Sequence, residues 1–293
     1  MSLTPDKTTD EMFQEKFNEI TDKTPKNDII FKILFGNPKH PNLLIYLLNA
    51  VLRTDPPITS VQIKPTEITP EVVGKRGIRL DILAETSDHE IINVEIQKKD
   101  EHNMKERSLF HWSRIFSGQA VVSEKYQDLK KTVCINIVNF EQFEDSRYWH
   151  QYFLMDAETK EKMTDLLEFH FFELTKFKKR PEDSPIRFWL EFIDDPFADK
   201  FREKYHLEPI YKEALERYKE TIADPEVQEM LRLQQKADMD FKSAVACAES
   251  KGEKFGIEKG KIEVAKSFLK MGLSVEQVAE GTGLSIEEVK KLL

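Results

Sequence analysis

Two short runs rich in Ile, Leu and Val, Arg79–Ala84 and Ile91–Gln97, flank a polar hexapeptide, Glu85–Glu90. Such a pair reads as a β-hairpin, and no other segment narrows the choice of folds as much. A later run, Lys131–Phe140, is almost continuously apolar. That is the pattern of a strand covered on both faces, which a lone hairpin cannot provide. Between them, Glu106–Glu124 places Leu109, Trp112, Ile115, Phe116 and Ala120 at helical spacing. The order strand, strand, helix, strand predicts a mixed α/β sheet with helices packed on it.

The hairpin also brings acids together. With the turn centred on Asp88, Asp81 and Glu95 lie equally far from it. They are then directly opposed, with Cβ atoms roughly 4.5–5.5 Å apart. Side chains alternate, so Asn93, Glu95 and Gln97 share one face and Ile92, Val94 and Ile96 the other. Opposed carboxylates repel. Solvent relieves the repulsion where the face is exposed, the ordinary setting of acidic hairpin residues. A hard cation such as Mg²⁺ also relieves it, taking one or two carboxylates and keeping several waters. An ion so held polarises a phosphoryl oxygen and acidifies a bound water, as phosphodiester hydrolysis requires. Gln97 is placed to orient that water or a phosphate oxygen. The Glu-x-Gln triplet alone does not choose between a solvated face and a metal site.

Upstream, Asp28–Phe35 reads as a helix with Asp28 as N-cap. Asn42–Leu52 reads as a second, strongly apolar helix, and Thr54–Pro70, with four prolines, as a loop holding a short strand near Val61–Ile63. Leu167–Phe177 reads as one more strand. From Ile186 the pattern is helical, with a joint at Ala223-Asp224-Pro225 and a long helix running past Lys251. Ser274 with Gln277, and Ser285 with Glu288, form capping boxes. Gly272 and Gly283 end helices. The expected organisation is a flexible arm over 1–24, a core over 25–185, a helical extension over 186–251 and a C-terminal helical tail over 252–293. The tail has helix-turn-helix spacing, but Glu287 and Glu288 open its second helix, where phosphate repels them. Its apolar side, which includes Val275, Val278, Leu284, Val289 and Leu292, points instead to packing or to homo-oligomerisation through the C-terminal helices.

A formal net charge of -9 counts against non-specific DNA binding, which comes largely from neutralised phosphates. The local balance reverses this. Eight Lys or Arg face five Asp or Glu between Lys98 and Lys131, and Lys176, Lys178, Lys179 and Arg180 form a further basic cluster. No run of about 18 apolar residues occurs, so no transmembrane helix is expected. Met1–Thr24 lacks the apolar stretch of a secretory signal. Cys134 and Cys247 match no metal spacing, and Cys134 reads as a buried free thiol. The expected setting is cytoplasmic. His102 and His111 show no ligand spacing and read as surface or packing residues, and Trp112 reads as core.

An ordered set of short matches runs through the chain. It comprises Asn27-Asp28, Phe31-Lys32, Leu34-Phe35-Gly36, Leu47-Leu48-Asn49, Asp81-Ile82 and Val94-Glu95-Ile96-Gln97. It continues with Arg107, Trp112-Ser113-Arg114, Tyr126, Leu129-Lys130, the strand from Thr132 to Phe140, and Phe172-Glu173-Leu174-Thr175-Lys176-Phe177. Over residues 25–180 this set resembles the Rpn family of recombination-promoting nucleases and transposases, a branch of the PD-(D/E)XK superfamily. The resemblance implies a restriction-endonuclease-like α/β core, a mixed sheet flanked by helices, followed by an α-helical C-terminal region. It implies an endonuclease that cuts DNA with Mg²⁺, or Mn²⁺ in its place, in recombination or transposon-like mobility. Asp81 and Glu95 would be metal ligands, and Gln97 takes the place of the superfamily's usual lysine. Lys98 does not replace it, because its side chain points to the opposite face. The family carries an acidic residue on its first helix near the site, which Asp28 matches; an N-cap paired with Lys32 at i+4 explains the same residue. Arg107 and Arg114, seven apart on one helix face, are phosphate contacts or members of a solvated face. Two rival functions stand beside the nuclease: a catalytically weak module of the same fold that binds DNA or protein, and a helical assembly protein in which the hairpin acids are incidental.

Overall fold

A computed structural model of the protein describes residues 23–68, 78–120, 125–179 and 184–293. The chain divides into two compact units, residues 1–231 and 232–293. The arm expected over 1–24 lies outside the described residues except for its last two. Lys23 is buried, and its carbonyl accepts a hydrogen bond from Tyr218 Oη at 2.6 Å. Pro70, Arg180 and the end of the helix expected over 106–124 also lie outside.

The first unit opens with helices α1 (Asp28–Phe35) and α2 (Asn42–Leu52). Asn27, not Asp28, caps α1: its Oδ1 accepts from Ile29 N at 2.9 Å. Asp28 is the first helical residue, where a negative charge suits the helix dipole. Strands β1 (Val61–Lys64), β2 (Glu67–Ile68), β3 (Ile78–Arg79), β4 (Ile82–Thr86) and β5 (Ile91–Gln97) follow. Helix α3 (Met104–Gln119) then leads to β6 (Thr132–Val138), β7 (Trp149–Phe153) and β8 (Leu167–Glu173).

The six-stranded sheet has the order β1-β4-β5-β6-β8-β7. Strands β5, β6 and β8 run parallel; β1 with β4, β4 with β5, and β7 with β8 are antiparallel. This is the restriction-endonuclease-like arrangement expected from the sequence. All seven residues of β6 are buried, as their apolarity demands. One sheet face, with Ile82, Ile92, Val94, Ile96, Ile135 and Phe172, packs under α1, α2 and the later helices α5 (Pro185–Asp194), α6 (Asp199–Tyr205) and α7 (Pro209–Ala223). Those helices share a single core with the sheet. The other face is covered by α3, whose buried residues Met104, Ser108, His111 and Ile115 follow one helical stripe. The α3 C-terminus is tied down by Gln119, which exchanges hydrogen bonds with the Lys130 backbone and donates to Thr132 Oγ1.

Three elements differ from expectation. The strand expected over 79–84 is broken at Leu80–Asp81. Leu80 N donates to Thr66 O at 2.9 Å, which turns β3 away to pair with β2. The strand expected over 167–177 ends at Glu173 and becomes helix α4 (Leu174–Phe177). Leu174 and Phe177, three apart, both enter the core, a helical rather than a strand spacing. Strand β7, which had no counterpart in the sequence reading, mixes aromatic and polar residues too evenly to show alternation.

The second unit holds most of the long helix α8 (Pro225–Lys270), then α9 (Val275–Thr282) and α10 (Ile286–Lys290). Both capping boxes form, and Gly283 ends α9 at a φ of 65°. The apolar side of the tail packs within the chain: Val278, Leu284, Val289 and Leu292 close on Ala265, Phe268 and Leu269. Among the described residues no helix is long and apolar enough to cross a membrane.

Asn49 clamps the loop after α2. Its Nδ2 donates to Ile58 O and its Oδ1 accepts from Ile58 N, both at 2.8 Å. Asn49→Ala strips both partners in a part-buried setting and is expected to cost about 2–3 kcal/mol. Urea unfolding measures it; a loss below about half a kcal/mol, the scale of an ordinary surface substitution, would show that the clamp is dispensable.

Candidate functional site

The ladder between β4 and β5 pairs Ile82 with Val94 and Leu83 with Asn93. One step further, the same register sets Asp81 against Glu95. Asp81 is outside the strand proper, and its side chain does the work of a missing backbone carbonyl. Its Oδ2 accepts from Ile96 N at 2.9 Å, while Asp81 N donates to Glu95 Oε1 at 3.3 Å. The break that sends β3 away is therefore what turns Asp81 into this position.

Asp81 is 9% exposed and Glu95 1%, so solvent is not available to relieve their repulsion. Charge from both helical layers does so in part. Lys32 Nζ, from α1, lies 3.0 Å from Asp81 Oδ1. From α3, Arg107 Nη2 lies 3.6 Å from Glu95 Oε2. His111 Nδ1 lies 3.4 Å from Glu95 Oε1, without hydrogen-bond alignment. Arg107 Nη1 also donates to Gln97 Oε1 at 3.3 Å, and Gln97 Nε2 donates to Lys99 O. Two acids, two permanent cations and an amide thus form one cluster at the end of the sheet.

Asp28 meets this cluster through Lys32, whose Nζ is 3.9 Å from its Oδ2. Arg114 lies two turns beyond Arg107 on α3, half-buried, roughly 10 Å along the helix. His102 is exposed beside Asp100. His111 is not a surface residue but a buried neighbour of Glu95. Its position four residues after Arg107 was the available signal, since that spacing puts both on one helix face. Lys32 gave no comparable sign beyond its i+4 relation to Asp28. A cleft of about 640 Å³ opens beside the cluster, lined by Arg79, Arg107 and His111 together with Glu101 and Glu106.

The donor set fits a hard divalent cation. Two facing carboxylates supply oxygen ligands, and such an ion removes the repulsion that Lys32 and Arg107 leave between them. Among the described residues no group of three or more His, Cys, Asp or Glu side chains is arranged to hold a metal ion. The rest of a Mg²⁺ shell would then fall to water, which that ion retains readily.

Burial, and next the Glu95 charge, push Asp81 up to about 6, against the pull of Lys32 and the Ile96 N–H. The folded protein therefore holds a proton that the unfolded chain has released above pH 3.8. Stability falls as pH rises from there to about 6, and the cost is complete above it. Asp81→Asn keeps an acceptor for Ile96 N and removes the charge. Without added metal it is expected to stabilise the fold at pH 8 by on the order of 1–3 kcal/mol, with the gap closing by pH 4. Thermal melts across that range check this; a variant that melts below the wild type at pH 8 would contradict it.

A family model described as PD-(D/E)XK nuclease family transposase matches residues 25–248. No curated protein and no solved structure matches the chain.

Proposed function

This chain belongs to the PD-(D/E)XK nuclease family transposases, and from that premise we propose that it is a Mg²⁺-dependent DNA endonuclease linked to recombination or transposon-like mobility, acting in the cytoplasm. The observation that carries the reading is the buried Asp81–Glu95 pair, opposed across one ladder and flanked by Lys32 and Arg107. Asp81 and Glu95 would hold the ion, which when bound withdraws charge from the scissile phosphate and acidifies a water. Mn²⁺ suits the same oxygen donors.

Arg107 lines the cleft and touches both Glu95 and Gln97. Its planar fork is placed to grip a phosphate oxygen while still reading Gln97. Lys32 brings positive charge from the opposite layer, at a site where residue 97 does not. Gln97, held by Lys99 O and Arg107, fixes a neutral amide where a water or phosphate oxygen needs orienting. His111 packs behind Glu95 and limits where its carboxylate turns. Asp28 acts through Lys32, and Arg114 offers a second phosphate contact along α3. Glu101 and Glu106 oppose phosphate in the cleft, so DNA affinity rests on few cations and its salt dependence is shallow. The C-terminal helices serve assembly into a homo-oligomer.

A second reading, a catalytically weak binding module, is favoured by one observation: Lys32 and Arg107 already match the two carboxylates, and Gln97 adds no charge. One assay separates the readings. The wild type is expected to nick or linearise supercoiled DNA with Mg²⁺ and not with a chelator. Glu95→Gln and Asp81→Ala should each lower the rate at least about a hundredfold. Full activity in either variant, or equal cutting with chelator present, would remove the pair from the chemistry. DNA binding without any cutting would favour the second reading. Gln97→Lys is expected to remain active or gain rate, since a lysine there stabilises charge developing on the phosphorane. Complete loss would show that the amide does something an ammonium does not.

A further inference from the structure

Residues 238–262 of α8, within the second unit, carry an apolar seam that nothing in that unit covers. Phe241, Val245, Ala248, Gly252 and Phe255 follow steps of four and three, the spacing of a coiled-coil stripe, and Lys259 takes the next position. Phe241 and Phe255 are each 69% exposed and Val245 38%. A Cβ added at Gly252 or Gly256 would meet no heavy atom within 4 Å. The tail does not compete for this side. It closes on Ala265 and Phe268, with Gly283 beside Lys261. At about 100° per residue, positions 261, 265 and 268 fall on the opposite side of the helix from the seam.

We propose that the seam pairs antiparallel with the same seam of a second copy. This deepens the assembly reading given above, on which it rests, by naming the face and the chain direction. The charge pattern identifies the occupant. On residues 238–249, Asp238, Asp240 and Glu249 stand against Lys242 alone. On residues 251–262, Lys251, Lys254, Lys259 and Lys261 stand against Glu253 and Glu258. The first block is net negative by two and the second net positive by two. A two-fold axis at Ser250 sets each block against the other, whereas parallel pairing sets like against like. The central apolar positions obey the same axis, which at each end sets Phe241 against Lys259. It brings Val245 opposite Phe255, Ala248 opposite Gly252 and Ala244 opposite Gly256. Small residues then meet small at the centre, which lets two helix backbones approach closely.

The test uses the full-length chain and light scattering. Wild type and Ile257→Glu, whose residue lies outside the seam, are expected to be dimers. Val245→Glu combined with Phe255→Glu, which sets acid against acid, is expected to be a monomer of unchanged helicity by circular dichroism. Direction is read by oxidation in a Cys247→Ser background. Val245→Cys with Phe255→Cys should form a covalent dimer, and Val245→Cys alone should not. The two introduced thiols are roughly 15 Å apart on one helix, too far to bridge within a chain. A monomeric wild type overturns both the seam and the assembly reading. A dimer that survives the paired glutamates overturns the seam and leaves assembly standing. Cross-linking by Val245→Cys alone overturns the antiparallel direction.

Discussion

Much of the first unit is organised around one backbone amide, the Ile96 N–H. In an unbroken hairpin it would bond the carbonyl of Leu80. Here Leu80 is drawn off by Thr66, and the Asp81 carboxylate accepts in its place. An unmade hydrogen bond in the interior is costly, so the substitution is enforced rather than optional. It has a price in charge: the carboxylate that completes the ladder must face Glu95 in a dry setting. Lys32 and Arg107 are arranged about that conflict, each reaching in from a different helical layer. The ordinary requirement that buried polar groups be paired thus delivers two acids and two bases to one point.

The hairpin was legible because its period is two and its turn is short. A strand with Ile92, Val94 and Ile96 on one side cannot slip by one residue without exposing them, so symmetry about the turn set the Asp81–Glu95 register. Strand β6 was legible because a continuous apolar run of that length admits little else. The capping boxes at Ser274 and Ser285 were legible because both partners lie within one turn.

What escaped was tertiary in origin. The break at Leu80–Asp81 depends on Thr66, fourteen residues upstream, and nothing local to Arg79–Ala84 announces it. The switch from β8 to α4 depends on Glu173. This fully buried acid accepts from Gln142 N at 2.6 Å and pairs with Lys176 at 2.9 Å. Its neighbours look like strand residues, and only that network shows why the strand stops. Lys32 does approach Asp28 and His111 is a packed residue, as read, but their places beside the two site acids escaped for the same reason. A lysine on a helix is commonly a solvated charge and a histidine a packing residue, until a carboxylate from another element arrives beside it.

The cluster is drawn from parts of the chain that meet late. Lys32 and Asp81 are separated by 49 positions, and Glu95 joins Arg107 only after α3 has folded back over the sheet. Loop closure of that kind precedes any reward from the contact itself. A chain emerging from synthesis, or one locally unravelled, therefore has carboxylates but no opposed pair and no arginine beside them. The arrangement works as an interlock: the opposed acids and their flanking cations come together only in molecules whose sheet is already closed.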